Sequence, residues 1–145
     1  MGITDKLKWT WDPVAVLTAL LNKWRPRNCT TEKEYETSLY NFLHKELEDR
    51  QITKQSGKGR FHADLVIDEK FIIEIKHNLD TTAKYQRLKG QVMEYKDWKG
   101  QVILLLIGKI DQNLKKDLTS FLKKEGLLDS WSPMSGEKVL VVYKS

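Results

Sequence analysis

The sequence predicts an α/β fold in which a mixed sheet carries helices on both faces. Three observations lead there. Helical and strand periodicities follow one another as helix, helix, three strands, helix, strand, helix, strand. Two of the strands, His62–Ile67 and Phe71–Lys76, are joined only by Asp68-Glu69-Lys70, which reads as a hairpin. No repeat, low-complexity tract or linker rich in Gly, Pro or Ser divides the 145 residues. One domain, 1–145, is therefore expected, with 1–30 as an N-terminal helical extension and 31–145 as the core.

Each element has a local cause. Asp12-Pro13 starts a helix, the aspartate as N-cap and the proline where its missing N–H is harmless; Val14, Leu17, Leu21 and Trp24 then fall at helical spacing. Arg25-Pro26 stops it. Thr31 caps a second helix, with Glu34 completing a capping box and Leu39, Leu43 and Leu47, with Tyr40, marking its buried stripe. A short strand is expected near Gln51–Gln55, then a turn or flexible loop at Gly57 and Gly59. After the hairpin, Asp80 is read as the cap of a helix running to about Trp98 and ended by Gly100. Gln101–Ile107 reads as a buried strand, Asp111 opens a helix that ends before Gly126, and Lys138–Tyr143 is the last strand.

Composition narrows the function classes. Hydrophobic residues make up 40% and charged residues 31%, an ordinary globular balance that argues against disorder. The single cysteine, Cys29, excludes an intramolecular disulfide and any multi-cysteine zinc or iron–sulfur site within one chain. The longest apolar run, Val102 to Ile107, falls far short of the ~20 residues of a membrane span. The opening MGITDKLKW lacks the apolar stretch of a signal peptide, so a cytoplasmic location is expected.

Lys and Arg number 25 against 20 Asp and Glu, a net charge of +5 that hints at an anionic partner. The charge is concentrated. Gln51–Ala63 holds Lys54, Lys58 and Arg60 with no acid, and Thr81–Met93 holds Lys84, Arg87 and Lys89 with no acid. These stretches flank the hairpin. GKGRFHAD lacks the spacing of a phosphate-cradling Walker loop, and no Ser-His-Asp arrangement can be argued.

A three-residue turn makes facing residues sum to 138, so Ile67 faces Phe71, Leu65 faces Ile73 and Asp64 faces Glu74. Side chains alternate with period two. One face then carries Ala63, Leu65, Ile67, Phe71, Ile73 and Ile75; the other carries His62, Asp64, Val66, Ile72, Glu74 and Lys76. A slip of one residue would push the acids into the apolar layer, which supports this register. Two carboxylates directly opposite repel. A hard divalent cation reverses that sign, because Mg²⁺ takes oxygen ligands, often one or two carboxylates. Lys76, on the same face, can hold a water or neutralise charge on a phosphate.

The spacing D-x9-E-x-K, as Ala63-Asp64 and Glu74-Ile75-Lys76, resembles the PD-(D/E)xK nuclease superfamily, with alanine where the motif has proline. The order of elements resembles that family's αβββαβ core over roughly Thr31 to Ile107. Gln91-Val92-Met93-Glu94-Tyr95 matches the Q-x3-Y motif of its RecB-like branch, and Glu36, on the core-facing stripe of the second helix, matches the family's additional glutamate. The resemblance implies a restriction-endonuclease-like fold and Mg²⁺-dependent (or Mn²⁺-dependent) hydrolysis of phosphodiester bonds, most readily of DNA. It implies metal ligation by Asp64, Glu74, Glu36 and the Ile75 carbonyl, and catalytic roles for Asp64, Glu74, Lys76 and Gln91. Lys58, Arg60, Lys84, Arg87 and Tyr95 are then the nucleic-acid contacts.

Plainer readings stand beside these. Asp64 and Glu74 can be solvated strand-end acids, Lys76 an edge lysine that discourages aggregation, and Glu36 a surface pair if the helix rotates. Gln91 and Tyr95 can be an ordinary polar position and a packed ring, and His62 is better read as a structural or surface histidine. Trp9, Trp11 and Trp24 are expected in the core or in a homodimer contact. A catalytically inactive binding module or adaptor of the same fold is the rival function.

Overall fold

The structure is a computed structural model that describes residues 8–56, 63–128 and 138–145. Two helices come first, α1 (Pro13–Lys23) and α2 (Glu32–Glu46). The strands β1 (Ile52–Ser56), β2 (Ala63–Ile67) and β3 (Phe71–Leu79) follow, then α3 (Thr82–Tyr95), β4 (Gln101–Ile110), α4 (Gln112–Lys124) and β5 (Val139–Lys144). The strands form one open five-stranded sheet in sequence order. β1, β2 and β3 are antiparallel neighbours, whereas β3, β4 and β5 run parallel. This is the mixed α/β sheet flanked by helices that the sequence predicts.

The helix starts obey their local chemistry with one shift. Asp12 accepts from Ala15 N at 3.1 Å, and Thr31 and Glu34 form the reciprocal capping box. Asp111 accepts from Asn113 N and Leu114 N. The cap of α3, however, is Thr81, whose hydroxyl accepts from Lys84 N at 3.2 Å. Asp80, one residue earlier, pairs instead with the Lys84 ammonium at 3.1 Å. The helix stops at Tyr95 rather than near Trp98, and the Trp98 N–H is taken by the Tyr95 carbonyl.

The hairpin register is the one the turn dictates: Leu65 faces Ile73, Val66 faces Ile72 and Ile67 faces Phe71. Asp68 and Glu69 turn the chain in the left-handed region, with φ of 52° and 54°. The Asp68 carboxylate braces the turn by accepting from Gln51 N at 2.9 Å.

Two hydrophobic layers lie on the two faces of the sheet. Leu65, Ile67, Phe71, Ile73 and Ile75 pack with α1 and α2, along with Trp9 and Trp24. Val66, Ile72, Leu104 and Leu106 pack with α3 and α4. The tryptophans expected together therefore divide: Trp9 and Trp24 are core residues, whereas Trp11 is exposed. Two residues break the alternation. Ala63 belongs to the α3–α4 layer, although β2 keeps its regular register with β1 as far as Ala63 and Ser56. Leu79 changes face because the register with β4 shifts between His77 and Leu79. The extra residue is in β4, where Gly108 (φ 84°) and Lys109 stand opposite Asn78 alone; Asn78 itself has φ of 56°, and its side-chain oxygen accepts from Lys109 N at 2.8 Å.

Gly100 has a separate reason to be glycine. A Cβ there would overlap the Lys70 carbonyl, the group that accepts from Gln101 N at 2.9 Å as β4 begins. Among the described residues, no helix is long and apolar enough to cross a membrane.

Candidate active site

β2 and β3 separate at the acids. β2 stays paired with β1 as far as Ala63, opposite Ser56, but its ladder with β3 ends at Leu65 and Ile73. Beyond that point β3 continues against β4 alone. In an antiparallel ladder every second residue turns its N–H to the same neighbour. Ile75 and His77 share that parity with Phe71 and Ile73, so their N–H groups face the side β2 has left. Buried backbone donors need partners. Here both partners are carboxylates: Ile75 N donates to Asp64 Oδ2 at 2.8 Å, and His77 N donates to Glu32 Oε1 at 3.1 Å.

The opposite parity of β3 presents Glu74 and Lys76 toward α3. Glu74 is only 1% exposed. The Tyr95 hydroxyl donates to its Oε2 at 2.7 Å, and the Lys76 ammonium lies 3.4 Å from its Oε1. Burial pushes the Glu74 carboxyl up to about 7, and the neighbouring Asp64 charge adds to this against the opposing pull of Lys76. Burial likewise raises Asp64 to about 6, opposed by the Ile75 hydrogen bond and reinforced by the charge of Glu36. Burial and then the Glu74 charge hold the Tyr95 phenol well above its ordinary range, so it stays a donor.

One expectation changes at this point. Tyr95 is 1% exposed and turned onto Glu74, so it orients a carboxylate and does not meet nucleic acid. Glu36 is buried and close enough to act on Asp64. Yet among the described residues no group of three or more His, Cys, Asp or Glu is placed to hold one ion. Asp64 stands between two acids, with Glu36 on α2 acting on it and Glu74 held by Tyr95 of α3. Ile75 lies between Glu74 and Lys76 in sequence; its N–H is committed to Asp64 and its side chain to the α1–α2 layer.

The pair Asp64 and Glu74 fits a hard divalent cation in its chemistry. Both donors are carboxylate oxygens, both are partly or wholly buried, and each acid is disfavoured as an anion where it sits. A bound dication removes that penalty.

The remaining residues named from sequence fall into two groups. Lys84, Arg87 and Gln91 line a cavity of about 390 Å³ together with Lys76 and Glu32. Lys84 is anchored there by the Asn78 carbonyl at 3.0 Å and by Asp80. The Gln91 side-chain oxygen is buried with no hydrogen-bond partner among the described residues. Lys58, Arg60 and His62, and the turn expected at Gly57 and Gly59, lie outside the described residues.

Sequence reasoning passed over Glu32. It stands at the first helical position of α2, where an acid has a sufficient local reason in the helix dipole. Only the path of β3 shows that its carboxylate also closes an open strand edge. Protein-family models, curated proteins and solved structures offer no match to this chain.

Proposed function

We propose that the protein is a metal-dependent nuclease hydrolysing phosphodiester bonds, most readily of DNA, on a restriction-endonuclease-like core. The observation that supports this most is the buried pair Asp64 and Glu74, repelling one another beside the Lys76 ammonium. Two such acids destabilise one another as anions unless a further cation or a proton joins them. The D-x9-E-x-K spacing and the Q-x3-Y motif point the same way.

Asp64 and Glu74 would hold Mg²⁺ or Mn²⁺, which supplies Lewis acidity at a phosphate and a more acidic water. The chain's own groups do the rest. The Ile75 N–H fixes the Asp64 carboxylate, and the Tyr95 hydroxyl fixes that of Glu74. Lys76 places a positive charge beside Glu74, where it stabilises negative charge developing on a phosphate oxygen. Lys84 and Arg87 neutralise neighbouring phosphates without reading sequence.

The rival reading is a binding module of the same fold without catalysis, in which the basic cavity wall of Lys76, Lys84 and Arg87 would contact phosphates. A cleavage assay on linear DNA with Mg²⁺, Mn²⁺, Ca²⁺ or EDTA separates the two. Cleavage with Mg²⁺ or Mn²⁺, little with Ca²⁺ and none in EDTA is expected. Robust cleavage in EDTA would remove the metal from the reading. Binding without cleavage under every metal condition favours the module.

A further inference from the structure

We propose that the cavity lined by Glu32, Lys76, Lys84, Arg87 and Gln91 holds the terminal nucleotide of a strand by its phosphomonoester, so that the protein cuts from strand ends. The substrate class rests on the nuclease reading above; the pocket itself rests on its own walls.

Size is the first argument. A volume of about 390 Å³ lies near the lower end of the ~300–1,000 Å³ typical of small-molecule sites. It accommodates one nucleotide-sized group and not a duplex. Charge is the second. Among the described residues, Lys76, Lys84 and Arg87 line the cavity with one acid, Glu74 and Asp80 standing behind Lys76 and Lys84 and holding them in place. A phosphomonoester carries about −1.5 to −2 at neutral pH, whereas a diester within a chain carries a single charge. The doubly charged end is the better match.

Glu32 supplies the third argument. Its carboxylate is pinned by the His77 N–H at 3.1 Å and so stays in the wall. A fixed negative charge repels a second phosphate, which disfavours a continuous polyanion running through the cavity and favours a chain that ends in it. Gln91 supplies the fourth. Its side-chain oxygen is buried with no partner among the described residues; turned into the cavity that the residue lines, it accepts from a sugar hydroxyl or a base amino group, which inorganic phosphate does not have.

Lys76 borders both this cavity and Glu74. The phosphodiester adjoining the terminal nucleotide therefore meets the acid pair. In each turnover a water oxygen bonds to phosphorus, the bond from phosphorus to the neighbouring sugar oxygen breaks, and that oxygen takes up a proton. Mononucleotides are released one at a time.

The pocket is tested without metal or turnover. The full chain in EDTA is titrated calorimetrically with thymidine 5′-monophosphate, thymidine 3′-monophosphate, thymidine and inorganic phosphate. One of the two nucleotides should bind at least ten-fold tighter than thymidine or phosphate, and which one it is identifies the strand end. Arg87→Ala, at an exposed position, should weaken that nucleotide at least ten-fold with an unchanged far-ultraviolet spectrum. Equal binding of nucleotide and phosphate, or wild-type affinity in Arg87→Ala, overturns the pocket.

The second arm compares linear and circular single strands of one sequence with Mg²⁺ or Mn²⁺. Linear strands should yield mononucleotides, with circles cut at least 100-fold more slowly. Circles cut as fast as linear strands overturn the end-directed inference and leave the nuclease reading standing. If neither is cut, the nuclease reading falls, and the metal-free titration alone decides whether the cavity takes a nucleotide.

Discussion

The backbone N–H of Ile75 donates to the side chain of Asp64 at 2.8 Å, so a carboxylate stands where a neighbouring strand has turned away. β2 and β3 pair tightly near their turn and then part, and the donors exposed on β3 are closed by Asp64 and Glu32 instead of by carbonyls. The opening brings Asp64, half-buried, near the buried Glu74. A regular ladder through Asp64 would satisfy the same donor with a backbone oxygen and leave no reason for an acid.

Lys76→Ala should reduce the cleavage rate at least ~100-fold, the scale on which charge-stabilising donors act. Nucleic-acid binding should persist, since Lys84 and Arg87 remain. Single-turnover cleavage alongside a binding titration measures both. Unchanged turnover would make Lys76 no more than a partner for Glu74.

Metal-free protein should lose stability as pH rises from about 4 to about 7. The folded chain holds its protons on Asp64 up to about 6 and on Glu74 up to about 7, whereas the unfolded chain releases them near 3.8 and 4.5. Between those limits the folded state binds more protons, so each unit of pH costs stability, and the loss is complete above about 7. Glu74→Gln should shallow this trend and melt above wild type at pH 8 in EDTA, while abolishing cleavage. Asp64→Asn keeps an acceptor for Ile75 N and should behave alike. Mg²⁺ should raise the wild-type midpoint and leave both variants unmoved. Thermal midpoints from pH 4 to 8, with and without Mg²⁺, test all of this; variants melting well below wild type in EDTA would make the acids structural.

Tyr95→Phe removes a donor to the ionised form of Glu74 and little else, because the ring is buried among Leu88, Val92 and their neighbours. It should cost about 1 kcal/mol of stability. It should also move the acidic limb of the pH–rate profile upward, since Glu74 ionises less readily without that hydrogen bond. A packing role alone would leave the limb in place.

Lys84→Ala combined with Arg87→Ala should flatten the dependence of nucleic-acid affinity on salt. Every phosphate left without its cation takes about 0.9 off the slope of log affinity against log salt on duplex DNA. Binding titrations over a range of salt concentrations give that slope. An unaltered value would place the strand elsewhere on the protein.

Gly100→Ala should destabilise by about 1–3 kcal/mol, the usual range for forcing extra volume into a packed site. The added methyl has no room beside the Lys70 carbonyl, and that backbone cannot move without giving up its bond from Gln101 N. Chemical denaturation reads the loss directly.

Much of this protein was determined by sequence alone, through interactions of short range. The helix caps, the three-residue turn and the period-two pattern act within a few residues of one another. They specify the helices, the hairpin register and the face on which Glu74 and Lys76 stand. The parity of Leu65, Ile67, Ile73 and Ile75 likewise assigns them to one layer before any partner is known.

Only the tertiary structure decided what surrounds those residues. Glu32 and His77 are 45 residues apart in the chain, and no local pattern joins them. Tyr95 reads as a nucleic-acid contact, with a packed ring as the plainer alternative, until α3 packs onto β3 and turns its hydroxyl to Glu74. The exchange of a neighbouring strand for two carboxylates depends on β2 leaving β3, and the change of face at Leu79 depends on a bulge beside Gly108. Such features follow from how whole elements compete for backbone hydrogen bonds, a competition settled only when every donor on β3 has found its partner.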